Sequence, residues 1–414
     1  MRGDAGGRRI ISMCGGLGHD PVQDSLWIRA VTFTDLAAAV PLAIWLYLLL
    51  LRGRFWVPRE LAPPSRETRA SVIAVVPARN EAATIARAVR SLLEQELPVA
   101  LRVIVVDDGS TDGTAEAARA AAAAAGAAER LTVLPGAPLQ QGWTGKLWAM
   151  SQGVAAATQF GPDYLLFTDA DIEHDRHNVA ALTAHAEAHR LDLTSLMVRL
   201  STVTFAERCL IPAFVFFFFK LYPPRWIGSA RSGVAGAAGG CILIRPAALE
   251  RAGGLAAIRG RIIDDCALAA AVKGSGGSLW LGLTRTTRSL RIYGSFAEIG
   301  AMISRTAFNQ LRHSWWRLAA ALLGLLVTYL APPVLAWSGV PALAACAAAA
   351  WVLMTLCYLP MVRFHRIPPL YALLLPAVAL FYAGATLHSA VRYALGRGGQ
   401  WKGRAQDARA AGGA

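Results

Sequence analysis

Three pairs of carboxylates punctuate the middle of this chain. Asp107 and Asp108 close an apolar run in LRVIVVDDGSTDGT, Asp169 and Asp171 stand in LLFTDADIEHD, and Asp264 and Asp265 in GRIIDDCALAAAV. In TDAD a strand ends between the two acids, which releases the strict alternation of faces and lets both carboxylates reach one ion. Hard oxygen ligands of this kind suit Mg2+ or Mn2+, which keep phosphate oxygens and water in their shell. An ion at Asp171 and Asp169 would neutralise charge as a diphosphate departs. VVDDGSTDGT has two readings: a turn capped by Thr111 and Asp112, or a nucleotide site in which a carboxylate accepts from a base or ribose. IIDD also has two: acids favoured at a helix N-terminus, or a general base that deprotonates an attacking hydroxyl.

Other motifs narrow the chemistry. GWTGKLWAM invites comparison with a phosphate-binding P-loop, but Gln140 stands where its first glycine belongs and Leu147 replaces the hydroxyl that would bind magnesium. Lys146 near a helix start can still meet a diphosphate. No GxGxxG is present, so a classical dinucleotide fold lacks its main signature. His174 and His177 read as a polar helix start rather than as ligands.

The elements that must position these groups alternate. SVIAVVPARNEAATIARAVRSLLEQ is a strand, a Pro-containing turn and an amphipathic helix; LRVIVVDDGST leads into an Ala-rich helix; LTVLPG, KLWAMSQGVAAATQ, DYLLFTDADIE and a helix from Asn178 to His189 follow. Alternating strands and helices predict an α/β domain with a mostly parallel sheet covered on both faces. Ligands of such sheets bind beyond the carboxyl ends of the strands. Asn80 and Glu81, Asp107 and Asp108, and Asp169 and Asp171 all fall there.

The flanks are of another kind. With 414 residues, 55% of them hydrophobic and 16% charged, and a mean hydropathy of +0.41, part of the chain belongs in lipid. TDLAAAVPLAIWLYLLLL, residues 34 to 51, is long enough to span if its first turn lies at the headgroups. Three more apolar stretches run from Leu318 to Trp337, Val340 to Leu359 and Pro369 to Leu387. Arg52, Arg54 and Arg59 after the first span, and Arg305, Arg312 and Arg317 around the start of the second, place the middle section in the cytoplasm. The basic tail RYALGRGGQWKGR conflicts with four full crossings, which would leave it outside. The net charge of +14 gathers beside hydrophobic segments, as anionic headgroups favour, and no nucleic-acid module signature accompanies it. Six cysteines without a CxxC pair read as thiols of a reducing compartment. The phenylalanine-rich block Cys209 to Phe219 is too short to cross a bilayer and predicts either a core helix or an interfacial ramp for a lipid.

Taken in order, VVPARNE, VVDDGSTDGT, GWTGK, TDADIEH, GGCILIRPAALERAGG, IIDDCALA and WKGR resemble a membrane glycosyltransferase of family 2 with a GT-A catalytic domain. With FAEIGAMISRTAFNQLRHSW the set resembles the hopene-associated glycosyltransferases of bacterial hopanoid gene clusters, over roughly residues 33 to 404. The resemblance implies inverting transfer of one sugar from a nucleoside-diphosphate sugar, a UDP-sugar foremost, to a membrane lipid, with Mg2+ or Mn2+. It assigns Pro77, Arg79, Asn80, Glu81, Asp107, Asp108, Lys146 and Asp169 to the donor, Asp171 with Asp169 to the metal, and Asp265 to the base. Asp264 stands where many relatives have Glu; with Arg312, His313 and Trp315 it is an expected acceptor or diphosphate contact. Processive relatives carry Gln-x-x-Arg-Trp, whereas Asn309 and His313 replace the first and last residues here. Transfer to polyprenyl phosphate, a processive synthase and a non-catalytic membrane scaffold stay as alternatives. The expected division is an extension at 1–32, an anchor at 33–51, a cytoplasmic catalytic domain at 52–316 with an interfacial segment near 208–222, a membrane bundle at 317–396 and a basic tail at 397–414, all in a bacterial cytoplasmic membrane.

Overall fold

The computed structural model describes residues 39–63 and 67–396, and the backbone of 400, 401, 404 and 405. The expected extension at 1–32, the first six residues of the expected anchor, and Lys402 and Gly403 of WKGR lie outside the described residues.

A mixed sheet of eight strands forms the centre: β1 Val72–Ala78, β2 Arg102–Asp107, β3 Leu131–Pro135, β4 Tyr164–Phe167, β5 Ile172–Glu173, β6 Leu193–Arg199, β7 Ile242–Ile244 and β8 Leu279–Ser289. Their order is β3-β2-β1-β4-β7-β6-β8-β5. The half that carries the motifs is parallel, β1 pairing with β2 and β4 and β2 with β3, whereas β7 runs antiparallel to both of its neighbours. Every side chain of β1 is buried, as a strand covered on both faces requires. From β1 the chain proceeds to β2 and β3 on one side and then crosses to β4 on the other. The carboxyl ends of β1 and β4 therefore flank the crevice where ligands of open α/β sheets bind.

The helices are α1 Ala39–Leu50, α2 Ala82–Leu93, α3 Thr114–Ala124, α4 Gly145–Thr158, α5 Asn178–Ala188, α6 Phe205–Leu221, α7 Pro224–Ile227, α8 Pro246–Arg251, α9 Asp264–Gly274, α10 Phe296–Gln310, α11 Trp315–Leu325, α12 Ala331–Leu335, α13 Pro341–Phe364 and α14 Leu375–Ala394. A π-helical turn, Leu326–Leu330, joins α11 to α12.

Three helical stretches are long and apolar enough to cross a membrane: Trp315–Leu335, Pro341–Phe364 and Pro369–Ala394. They coincide with the three stretches read from the sequence. The described part of the first apolar segment is shorter, Ala39–Leu50, and is tied to the bundle where Trp45 Nε1 donates to the Thr328 carbonyl at 2.8 Å.

The segment near 208–222 forms α6, most of whose apolar side chains are packed inside. Thr204 and Glu207 form a capping box that starts α6, and Leu210, Ile211, Phe216 and Phe219 are buried. Phe216 packs on Phe55 and on Tyr358 of α13, both at 5.1 Å, while Tyr382 of α14 donates to the Leu210 carbonyl. Each buried phenylalanine contributes about 1.5–3 kcal/mol, so α6 is a strut joining the sheet domain to the apolar helices.

Candidate active site

Three acidic side chains and one ammonium converge at the β1/β4 crevice. Pro77 from β1, Thr168 and Asp169 from the β4 exit, Lys146 from α4, Gly239, and Asp264 and Asp265 from α9 line a single cleft.

Lys146 is the second residue of α4, whose N-cap Thr144 accepts from the Leu147 N–H. A cation there opposes the helix dipole, and carboxylates offset that. Lys146 Nζ lies 2.8 Å from Asp169 Oδ1 and 3.3 Å from Asp264 Oδ2. Burial works against its charge, yet Asp169, Asp264 and Asp265 together raise its pKa and hold it protonated.

Asp264 and Asp265 open α9, but the N-cap is Ile263 and makes no side-chain cap. They are first-turn acids, as a helix N-terminus favours, and they line the cleft as well. Asp265 Oδ2 accepts from the Gly239 N–H at 2.9 Å and Oδ1 from the Cys266 N–H at 2.7 Å. Burial and neighbouring Asp264 push its carboxyl up to about 6, against the pull of Lys146 and those two N–H groups.

At the β4 exit the Ile172 N–H bonds to the Asp169 carbonyl, turning the chain so that Asp169 and Asp171 share a side. Burial, then Asp169 and Glu81, push the Asp171 carboxyl up to about 6, while Arg291 and Lys146 act in the other direction. Crowded, partly desolvated carboxylates with this charge excess fit a hard divalent ion, Mg2+ or Mn2+, that completes its shell from a bound diphosphate and water. Among the described residues no group of three or more His, Cys, Asp or Glu side chains is placed to hold an ion.

The end of β2 has its own order. Asp107 accepts from the Ser110 N–H at 3.1 Å and from its hydroxyl. Arg79 donates to the Asp108 carbonyl and lies 3.6 Å from its carboxylate. Asn80, at φ 51°, donates its N–H to Ser110 and accepts from the Thr111 N–H; asparagine tolerates that left-handed backbone. Asp112 binds the Thr114 N–H and hydroxyl and the Ala82 N–H, joining the starts of α2 and α3. Asp112 is thus a structural member of the turn, and Asp107, at the end of β2, joins it through Ser110.

Arg312, His313 and Trp315 are placed elsewhere. Arg312 and His313 occupy a left-handed turn between α10 and α11, at φ 53° and 54°. His313 stacks on Tyr393 at 4.0 Å and Trp315 packs on Phe308; none of the three is among the cleft-lining residues. The residue of that segment linked to the site is Gln310, whose amide donates to Tyr222 Oη at 2.6 Å, and Tyr222 lies beside Cys266.

A buried polar chain ties the β4 exit to the Gly239–Gly240 loop, a role for Thr168, His174 and Asn178 that their local sequence did not show. The Asn178 amide donates to His174 Nδ1 at 3.0 Å, so His174 Nε2 carries the proton and donates to Thr168 Oγ1 at 2.9 Å; Thr168 in turn donates to the Gly240 carbonyl at 2.8 Å. Burial drives His174 down to about 3, consistent with a neutral ring. Thr168 adjoins Asp169, and Gly240 adjoins the Gly239 that holds Asp265. A Cβ on Gly239 would lie 3.4 Å from both Asp265 Oδ2 and Lys146 Nζ, so this backbone runs against both charges.

Comparison with known proteins follows this geometry. Residues 73–253 match the family model described as Glycosyl transferase family 2. That segment is a glycosyltransferase family 2 domain. Over 102 residues the chain is 38% identical to a 4,4'-diaponeurosporenoate glycosyltransferase of Staphylococcus aureus, a match spanning 25% of this chain and 24% of the relative. The chain thus aligns with about a quarter of that relative's length. A solved mannosyltransferase from Pyrobaculum calidifontis, in complex with GDP-Man and Mn2+, superposes with a TM-score of 0.53 at 20% identity, covering 86% of this chain and 99% of that one. At that identity the likeness establishes fold: a GT-A-like α/β domain followed by apolar helices, as the sequence implied.

Proposed function

We propose that this protein is a membrane-bound inverting glycosyltransferase that moves one sugar from a nucleoside-diphosphate sugar to a lipid acceptor. The observation that carries the reading is Lys146 held between Asp169 and Asp264, with Asp265 at the same cleft wall. One end suits a diphosphate and the other a base, as displacement at a sugar carbon requires.

Asp265 is the catalytic base. Its carboxylate takes the proton of the acceptor hydroxyl as that oxygen attacks the anomeric carbon, the bond to the diphosphate breaks, and the configuration inverts. The N–H groups of Gly239 and Cys266 fix the carboxylate's orientation. Lys146 stands at the diphosphate, and Arg79, Asn80, Asp107 and Asp108 at the nucleoside. Asp171 and Asp169 would hold Mg2+ or Mn2+, which supplies charge neutralisation at the leaving group.

The donor to test first is a UDP-sugar, then GDP-mannose, the ligand family of the Pyrobaculum structure. The motif order supports a hopanoid-related acceptor. The arginines flanking the apolar helices support a bacterial cytoplasmic membrane with the catalytic domain inside.

Lipid mass spectrometry of a deletion strain, complemented with wild type or with Asp265→Asn, tests the proposal. Wild type should restore a lipid heavier than its precursor by one sugar, and Asp265→Asn should not. A polymeric series would instead indicate a processive enzyme, and full restoration by Asp265→Asn would exclude the base.

A further inference from the structure

The phenylalanine block of α6 is consumed as core, yet large apolar side chains lie bare next to its start. Val203 is 66% exposed, Phe205 64%, Ile292 58% and Phe296 40%. They come from two separate segments that one residue fastens together. Glu207, fully buried, accepts from the N–H groups of Val203 and Thr204, from the Ser201 hydroxyl and from the Tyr293 N–H. Thr204 Oγ1 donates to the Tyr293 carbonyl, and the Phe205 and Phe296 rings lie 6.0 Å apart. The four side chains form a collar on two segments joined by these part-buried hydrogen bonds.

The collar has an inner and an outer end. At the inner end the Leu290 N–H bonds to the Asp171 carbonyl at 2.7 Å, and neighbouring Arg291 acts electrostatically on the Asp171 carboxylate. At the outer end Phe296 meets Phe381 of α14 at 6.0 Å, so the collar continues into an apolar helix long enough to span. Helix α10 runs from this point to Gln310, which is bonded to Tyr222 beside Cys266. Arg208, Arg291 and Arg305 are exposed around the patch. The nearby acid, Glu298, accepts from the Gly294 N–H.

We propose that Val203, Phe205, Ile292 and Phe296 seat in the membrane–water interface and form the entrance by which an amphiphilic lipid acceptor reaches the cleft. An apolar surface rimmed by arginines and continuous with a spanning helix matches a bilayer with anionic headgroups. An acceptor's hydrocarbon lies along the collar while its head passes Arg291 toward Asp171 and Asp265. The entrance rests on the transferase reading; the lipid seat itself does not.

Two measurements test it on the full-length protein. Cysteines introduced by Phe205→Cys or Ile292→Cys, with Cys14 and Cys346 changed to serine, are labelled with an environment-sensitive fluorophore. The protein is reconstituted in vesicles of phosphatidylglycerol and phosphatidylethanolamine, some brominated along the acyl chain. Labels at 205 and 292 should emit as in an apolar medium and be quenched by bromine, like one at Val352→Cys on α13, whereas one at Val99→Cys should stay water-like. Water-like emission at both 205 and 292, with a lipid signal at 352, would overturn the seat. The paired change Phe205→Asp and Ile292→Asp should cut sugar incorporation into a membrane-lipid extract by at least about tenfold, the factor that about 1.4 kcal/mol of lost binding produces. Binding of UDP with Mn2+ is followed alongside to show an intact donor end. Unchanged incorporation would overturn the entrance. Lipid contact without sugar incorporation by the wild type would sink the transferase reading and leave the seat standing.

Discussion

If Asp265 is the base, the rate of sugar transfer must follow its ionisation. Its carboxyl is pushed up to about 6, so roughly nine-tenths of it is ionised at pH 7 and turnover should fall about tenfold per pH unit well below 6. Asp171 is raised to a similar value, and an acid limb alone would not tell the two apart. Metal separates them. Proton and ion compete for Asp171, so an Asp171 limb moves to lower pH as Mn2+ is raised, while an Asp265 limb stays. Lys146 supplies a second handle. Its Nζ and Asp265 Oδ2 each lie 3.4 Å from the position a Gly239 Cβ would take. They are thus at most about 7 Å apart, a charge interaction of about 2 kcal/mol at an effective dielectric constant of about 20. Lys146→Met should therefore move the limb upward by about one to two pH units, whatever it does to the maximal rate. The assay is the pH dependence of kcat for both proteins, each measured at several Mn2+ concentrations. A limb that follows the Mn2+ concentration, or one that stays near 6 in Lys146→Met, would refute the assignment.

Other expectations follow from the same geometry. Asp171 has its folded pKa raised, so its charge weakens the fold above about pH 6 and ceases to do so below the unfolded value of about 4; Asp171→Asn should then stabilise the metal-free protein at pH 8 by about 1–3 kcal/mol. It should also abolish any rise in Tm on adding Mn2+, and an unchanged or lower Tm at pH 8 would count against the charge crowding. Thr168→Val interrupts the chain from Asn178 to Gly240 and should cost about 1–3 kcal/mol together with a fall in kcat, both read against wild type by calorimetry and steady-state assay. Glu207→Gln turns one acceptor into a donor facing N–H groups and should cost about 2–3 kcal/mol; hydrogen exchange should quicken at Val203 and Tyr293.

Much of the site was legible because its signals are local. An apolar run followed by two acids marks a strand end, and β1, β2 and β4 end as VVPARNE, VVDD and TDAD suggest. The apolar stretches were equally plain, since length and composition alone define a span. What escaped was set by distant pairing. His174 looked like a polar helix start, yet it is buried because Asn178 and Thr168 saturate both ring nitrogens. The α6 phenylalanines read equally well as core or ramp, and only the arrival of Phe55, Tyr358 and Tyr382 from far along the chain makes them core. Arg312 and His313 were singled out by analogy of spacing, but the left-handed turn and the stack on Tyr393 lead them away from the cleft.

The two helix N-termini at the cleft carry opposite charges, and that contrast explains how Asp265 is poised. The first turn of α9 favours its aspartates, while the first turn of α4 disfavours Lys146. Left alone, Asp265 would be an ordinary ionised acid too weak to take a hydroxyl's proton effectively, and Lys146 would turn away to solvent. Burial and Asp264 raise the carboxyl, Lys146 keeps it from rising so far that it stays protonated at neutral pH, and Asp169 and Asp264 hold the lysine in place. Each charge corrects an excess created by its neighbour, so a carboxyl near 6 is a property of the whole cluster. Any single neutralising change should therefore shift the pH at which Asp265 works as well as removing a contact.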